Sequence, residues 1–167
     1  SILLAVNGEI YNYRQLTADL TAKGHRFRTG SDSECILHAY EEYGEAFPTV
    51  LEGMFAAAVL DLRSRTFLLA RDRAGQKPLF YVSTPRLFAF ASEIRALKPI
   101  PGLEWELDRD ALSTYLTFQY CPGDSTVYRR IRKLPPGCLL RAAFDEEPGI
   151  RRFWTFRRAV ETERIPN

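Results

Sequence analysis

The spacing of apolar residues changes midway along this chain. After a short apolar strand at residues 1–6, the first third carries apolar positions at helical spacing. From Met54 onward, short apolar runs separated by turn residues predict antiparallel strands instead. Helices first and antiparallel strands afterwards favour an α+β domain built in layers.

Two segments of the first third carry the start and stop signals of helices. Residues 12–15 (Asn-Tyr-Arg-Gln) have the pattern of a capping box, and the helix that they open is predicted to end at Gly24. Residues 25–28 are predicted to form a short strand. Residues 31–34 (Ser-Asp-Ser-Glu) give a second capping box, which opens a helix ending at Gly44.

The remainder of the chain predicts two hairpins and a third helix. Residues 54–62 form a buried strand that turns at 63–65 and returns at 66–71. A second hairpin joins residues 79–83 to residues 87–92, and Asp108 caps the third helix. Between the hairpins, the Arg and Asp residues of segment 70–73 are expected to form ion pairs that hold the turn.

Length, charge and cysteine content narrow the class of protein. A chain of 167 residues suits a single globular domain, and a net charge of +2 is too small to favour nucleic acid as a partner. No apolar run reaches the ~18 residues of a membrane span, and the apolar start lacks the basic leader of a signal peptide. Three scattered cysteines (Cys35, Cys121 and Cys138) favour a reducing, cytoplasmic setting.

Candidate chemistry begins where the first strand ends. Asn7-Gly8 is a common hairpin signal, and a turn is the simplest interpretation of that dipeptide alone. The residues that follow predict a short loop and a helix rather than a returning strand. An Asn side-chain amide beside a Gly backbone N–H also supplies the two donors that an oxyanion hole needs.

Two carboxylates extend this candidate site. Asp32 could cap the second helix, but Ser31 can serve as the cap while Asp32 binds the ammonium group of an amino-acid substrate. Glu9 could be a solvated turn residue or could contact the polar end of a small ligand. His25 and His38 do not form metal-ligand spacing with any pair of cysteines, so no metal site is predicted.

With these motifs in place, the chain resembles the class II glutamine amidotransferase domain of asparagine synthetases. Residues 70–81 (ARDRAGQKPLFY) and 90–97 (FASEIRAL) resemble two signature segments of that family, in the family's order. The resemblance covers nearly all of residues 1–167. It rests on residues 7–12, 28–34, 51–56, 70–81, 90–97, 133–137 and 153–154.

The resemblance implies an N-terminal-nucleophile (Ntn) hydrolase fold, a four-layer αββα sandwich of two antiparallel sheets. It implies that Asn7 and Gly8 form the oxyanion hole, and that Gly8, Glu9 and Asp32 hold L-glutamine. The family's nucleophile is an N-terminal cysteine, whereas this chain starts with Ser1. We therefore expect an N-terminally incomplete, partial glutaminase domain that is inactive alone and associates with itself through exposed sheet edges.

The resemblance further implies a C-terminal synthetase domain, outside this chain, that uses ATP and Mg²⁺ to amidate aspartate with the ammonia released. No cofactor is expected within the chain itself. Two alternatives stay open. One is a domain without glutaminase activity that supports an ATP-dependent amide-forming synthetase of the β-lactam synthetase kind, and the other is a stand-alone interaction module.

Overall fold

The computed structural model describes residues 1–143 and 148–156. Within these ranges, no helix has the length and apolar character needed to cross a bilayer. The strands are β1 (Ile2–Ile10), β2 (Gly53–Asp61), β3 (Thr66–Arg71), β4 (Phe80–Thr84), β5 (Leu87–Ala91), β6 (Arg132–Lys133), β7 (Cys138–Ala143) and β8 (Gly149–Arg152). The helices are α1 (Tyr13–Ala22), α2 (Asp32–Tyr43) and α3 (Arg109–Phe118), with short 3₁₀ helices at Gly44–Val50 and Ile94–Leu97.

The strands form two antiparallel sheets. The larger sheet has the order β1-β2-β3-β7-β8, and the smaller sheet has the order β5-β4-β6. Among the described residues, β1 lies at an edge of the larger sheet. The two antiparallel sheets and the accompanying helices confirm the predicted α+β class, whereas self-association through the sheet edges stays a prediction.

Three apolar cores hold these layers together. Helices α1 and α2 pack on one face of the larger sheet through buried residues such as Leu20, Ile36 and Val59. The opposite face packs on the smaller sheet through residues such as Leu69 and Leu140. A third core covers the outer face of the smaller sheet with segment 94–105. The candidate site residues therefore sit on a scaffold that is packed on both faces.

Four local predictions differ from the structure. The first strand runs on to Ile10, so the predicted turn and loop after residue 6 are wrong. Residues 25–28 form no strand. Asn12 makes no capping hydrogen bond, because its side chain binds the Val50 carbonyl and the Glu52 N–H instead. In the second predicted capping box, Ser31 caps α2 by accepting from the Ser33 N–H, but the Glu34 carboxylate accepts from the N–H groups of Arg28 and Thr29 rather than from that of Ser31.

The predicted ion pairs of segment 70–73 are also replaced by backbone contacts. The buried carboxylate of Asp72 accepts hydrogen bonds from the N–H groups of Phe55, Ala74, Gln76 and Lys77 at 3.0–3.3 Å. The guanidinium of Arg71 donates to the carbonyls of Gly75, Lys77 and Leu134 at 2.7–2.8 Å. These two side chains therefore fix the connection from β3 to the smaller sheet.

Candidate functional site

Asn7, Gly8 and Glu9 occupy the half of β1 that pairs with the beginning of β2. Side chains alternate along a strand, so Asn7 and Glu9 point away from the helices, toward the side of the smaller sheet. Both residues are exposed, although Ala56, the partner of Asn7 across the strand pair, is buried in the core between the sheets. The three residues therefore lie at the open margin of the space between the two sheets.

Gly8 is required by a close approach of two backbones. A Cβ atom at Gly8 would lie 2.1 Å from the carbonyl oxygen of Met54, and one at Gly53 would lie 2.1 Å from that of Glu9. No side chain fits at such distances, since backbone atoms cannot yield as the end of a flexible side chain can. The glycine pair therefore holds the candidate site on a fixed strand rather than on a loop.

The backbone N–H of Gly8 is directed to the free edge of the sheet. Residues two apart in a strand direct their N–H groups to the same side, and the N–H of Tyr11 bonds to Glu52 on the β2 side. The backbone N–H groups of the even-numbered residues of β1 consequently point to the free edge. The Ile10 N–H, for example, donates to Asp32 rather than to β2. The N–H of Gly8 lies on the same edge, two residues earlier.

The side chain of Asn7 is oriented by a hydrogen bond to a residue at the end of the smaller sheet. Its Nδ2 atom donates to Ser92 Oγ at 3.1 Å. Ser92 immediately follows β5, and the two residues are 85 positions apart in sequence. An amide nitrogen carries two hydrogens, so this bond leaves one hydrogen for a further acceptor. Sequence reasoning placed Ser92 in a family signature but assigned it no role, because no local pattern connects residues 7 and 92.

Asp32 joins the same edge from helix α2. Ser31 caps the helix by accepting from the Ser33 N–H at 3.2 Å, which leaves the Asp32 carboxylate to bind elsewhere, as predicted. Asp32 Oδ2 accepts from the Ile10 N–H at 2.8 Å. The half-buried carboxylate is thereby held one residue beyond Glu9.

The segment before α2 is fixed by Glu34. Its carboxylate accepts from the N–H groups of Arg28 and Thr29 and from the Thr29 hydroxyl, at 2.6–2.8 Å. These bonds, the Thr29 hydroxyl foremost, lower the pKa of Glu34 to about 2. Because the Glu34 carboxylate stays ionised near neutral pH, its hydrogen bonds hold Arg28 and Thr29 against the start of α2.

A cavity outlined by the two hairpins lies elsewhere. Its volume is about 870 Å³, and it opens between the turns of the two hairpins, with Phe67, Phe88 and Phe90 in its walls. None of the four predicted site residues lines it. The candidate site is instead an open edge that carries polar groups.

Two kinds of polar group lie along this half of β1. Two N–H donors, the Asn7 amide and the Gly8 backbone, can bind an oxygen atom on which negative charge develops. Two carboxylates, Glu9 and Asp32, can bind a cationic group. A ligand that carries both a carbonyl and an ammonium group matches this arrangement.

Comparison with known proteins adds an independent result. The family described as "Glutamine amidotransferase domain" matches residues 1–154. "Asparagine synthetase [glutamine-hydrolyzing] 1" of Bacillus subtilis is 40% identical over 131 residues, which are 78% of this chain and 21% of that protein. "Putative asparagine synthetase [glutamine-hydrolyzing]" of Mycobacterium bovis is 39% identical over 163 residues, 95% of this chain and 25% of that protein. The chain therefore spans about a fifth to a quarter of the length of these relatives.

Solved structures show the same fold at lower sequence identity. Glutamine phosphoribosylpyrophosphate amidotransferase from B. subtilis aligns with a TM-score of 0.65 at 23% identity, covering 93% of this chain and 30% of that one. A second structure, described as the allosteric regulatory enzyme of purine biosynthesis, aligns with a TM-score of 0.67 at 23% identity, covering 93% and 29%. The similarity supports the predicted Ntn-hydrolase sandwich.

Proposed function

Because the chain belongs to the glutamine amidotransferase domain family, we propose that the open edge of β1 binds L-glutamine for hydrolysis to glutamate and ammonia. The observation that carries this proposal is the placement of the Asn7 amide, the Gly8 N–H and the Asp32 carboxylate along residues 7–10 of β1, where Asp32 accepts from the Ile10 N–H. Asp32 and Glu9 bind the α-ammonium end of the substrate. Asn7 and Gly8 bind the oxygen of its side-chain amide.

In the proposed reaction, a thiolate attacks the side-chain carbonyl carbon, and the C=O electrons move onto oxygen. Asn7 Nδ2 and the Gly8 N–H stabilise that oxyanion. The α-amino group of the nucleophilic residue, which has taken the proton of the thiol, returns it to the leaving nitrogen as the intermediate collapses, so the C–N bond breaks and ammonia is released. Water then hydrolyses the thioester to glutamate and regenerates the thiol. Ser92 acts as a positioning residue, since it orients the Asn7 amide.

The thiols within this chain do not suit the nucleophile. Cys35 and Cys138 are buried, and burial raises the pKa of both thiols. The Sγ atom of Cys121 lies 3.9 Å from the Ala111 carbonyl, next to helix α3 rather than β1. The proposal therefore assigns the thiolate to an N-terminal cysteine of the full-length protein, as the family resemblance implies.

The 167-residue chain alone should not hydrolyse glutamine, because none of its thiols can reach the proposed site in a reactive form. The measurement is glutamate release by the purified chain, compared with a reaction without protein. Turnover that disappears when Cys35, Cys121 or Cys138 is alkylated would contradict this assignment.

For the full-length protein, we propose asparagine synthesis from aspartate, with glutamine as the ammonia source and ATP and Mg²⁺ used by a further domain. The names of the B. subtilis and M. bovis relatives support this assignment. We also assign the protein to the cytoplasm, and the three free cysteines support a reducing compartment.

Replacing Asp32 by asparagine should raise the KM for glutamine about 10- to 100-fold in the full-length protein. The asparagine side-chain oxygen can still accept the Ile10 N–H, so the substitution removes the charge while it keeps the contact that anchors α2. Because the ammonium contact exists in the ground state and the transition state alike, kcat should change little. Steady-state kinetics with glutamine measure both constants.

Asp19→Asn is the matched control, because it makes the same change at an exposed position of α1. That variant should have the same KM for glutamine as the unmodified protein. Synthesis from free ammonia should persist in both variants. An equal loss of ammonia-dependent and glutamine-dependent synthesis in Asp32→Asn would mean that Asp32 only supports the fold.

A further inference from the structure

A cluster of two histidines and three glutamates lies where α2 packs against the loop that follows α1. His25 belongs to that loop, and His38 and Glu41 belong to α2. Glu41 Oε2 lies 2.8 Å from His38 Nδ1 and 3.5 Å from His25 Nδ1. One carboxylate oxygen therefore stands between the Nδ1 atoms of the two imidazoles.

We propose that His25 Nδ1, His38 Nδ1 and the Glu41 carboxylate form a binding site for a Zn²⁺ ion. Ligand atoms of the three residues all lie within 4.8 Å of one another. In a tetrahedral zinc site with bonds of about 2.0–2.1 Å, neighbouring ligand atoms are roughly 3.3 Å apart. The two Glu41 contacts bracket that spacing, so small side-chain movements suffice to admit the ion.

The outer nitrogen of His25 supports this assignment. His25 Nε2 lies 3.2 Å from Glu42 Oε2, and buried His38 Nε2 lies 3.5 Å from Glu34 Oε1. A histidine that ligates a metal through one nitrogen commonly directs its other N–H to a carboxylate, which fixes the tautomer and the ring. The His25 ring has this arrangement, with Nδ1 toward the proposed ion and Nε2 hydrogen-bonded to Glu42, whereas His38 Nε2 lies near Glu34 without a hydrogen bond.

The surrounding contacts hold both rings in place and leave an approach from solvent. The Phe27 ring packs on His38 with centroids 4.5 Å apart, and Glu42 is itself held by Lys23 at 2.7 Å. The side chains of His25 and His38 are 16% and 11% exposed, whereas that of Glu41 is 37% exposed. Two imidazoles and one carboxylate suit Zn²⁺ better than Mg²⁺, which prefers oxygen ligands, and a water molecule can complete the tetrahedron.

An ion at this position would join the loop after α1 to α2. The same helix begins at Asp32, and Glu34 already bonds the end of that loop. The three proposed ligands are distinct from the proposed glutamine contacts Asn7, Gly8, Glu9 and Asp32. The presence of the zinc site can therefore be tested without any enzyme assay.

The experiment is a titration of the metal-free chain with Zn²⁺, competed against a chromophoric chelator, with Co²⁺ absorption as a report on tetrahedral geometry. The protein must carry no histidine tag, since the chain has only two histidines of its own. We expect one Zn²⁺ per chain and a rise in the thermal midpoint with Zn²⁺ but not with Mg²⁺. Glu41→Gln and His25→Gln should each weaken binding about 10- to 100-fold.

Two control variants separate this site from other sources of binding. Glu106→Gln removes an exposed carboxylate that pairs with Arg129, and Cys121→Ser removes the most exposed thiol of the chain; both should keep the affinity. Glu41 is partly exposed, so its substitution tests the site even if His25→Gln fails to fold. Absence of stoichiometric Zn²⁺ uptake, or uptake unchanged in Glu41→Gln, would overturn the proposal.

Discussion

Replacing Asn7 by alanine in the full-length protein should lower the glutamine-dependent kcat about 10²–10³-fold. In the proposed reaction, the Asn7 amide donates to charge that develops only in the transition state, so its loss should leave the KM for glutamine nearly unchanged. Synthesis from free ammonia does not use this donor and should continue at the unmodified rate. Steady-state kinetics with each nitrogen source measure the two effects separately.

Two further variants test the reason for that loss. Asn7→Asp keeps the shape of the side chain but replaces the donor by an oxygen, and it should impair kcat at least as much as Asn7→Ala. Ser92→Ala keeps the donor but removes the hydroxyl that orients it at 3.1 Å, so its effect on kcat should be smaller and of the same kind. If Asn7→Ala raised KM without lowering kcat, Asn7 would be a ground-state contact rather than an oxyanion donor.

Replacing Asp72 by alanine should lower the free energy of unfolding by about 3–5 kcal/mol. The substitution leaves the N–H groups of Phe55, Ala74, Gln76 and Lys77 without their shared acceptor. Because Asp72 is fully buried, water cannot replace the carboxylate without opening the turn. Urea unfolding of the 167-residue chain, followed by circular dichroism, measures this change.

Asp124→Ala provides the comparison for Asp72. The Asp124 side chain is 49% exposed and lies 3.9 Å from Arg132, so its removal should cost about 0.5 kcal/mol or less. Asp72→Asn, with one acceptor oxygen instead of two, should fall between the two alanine variants. A loss below about 1 kcal/mol for Asp72→Ala would mean that the turn finds other acceptors.

The hairpin of β2 and β3 could be predicted from sequence almost to the residue, since its signals are local. Its apolar runs are bounded by the Arg-Ser-Arg turn, and both strands are buried along most of their length. By contrast, β7 enters the larger sheet beside β3 through pairing between residues about 70 positions apart. No local pattern specifies that neighbour, so the order of the sheet could not be predicted.

The candidate site illustrates the same division between local and distant contacts. Motifs identified the candidate residues Asn7, Gly8, Glu9 and Asp32. They also indicated that the Asp32 carboxylate could bind another group, because Ser31 can cap α2. The turn preference of Asn-Gly is overridden because Gly8 packs against the backbone of β2. The contact between His25 and His38 was missed for a similar reason, since residues 25–28 are loop rather than strand.

The backbone contacts of Arg71 and Asp72 bear on how sequences of this kind are classified. Both side chains bond to main-chain groups, in the turn and at Phe55 and Leu134, rather than to the proposed substrate contacts, so the Arg-Asp signature reports architecture. A homologue that keeps this signature but lacks the equivalents of Asn7, Glu9 and Asp32 should adopt the sandwich and fail to bind glutamine. Database searches that assign glutaminase activity should therefore weight the Asn-Gly-Glu segment and the distant aspartate above the more conspicuous Arg-Asp-Arg segment.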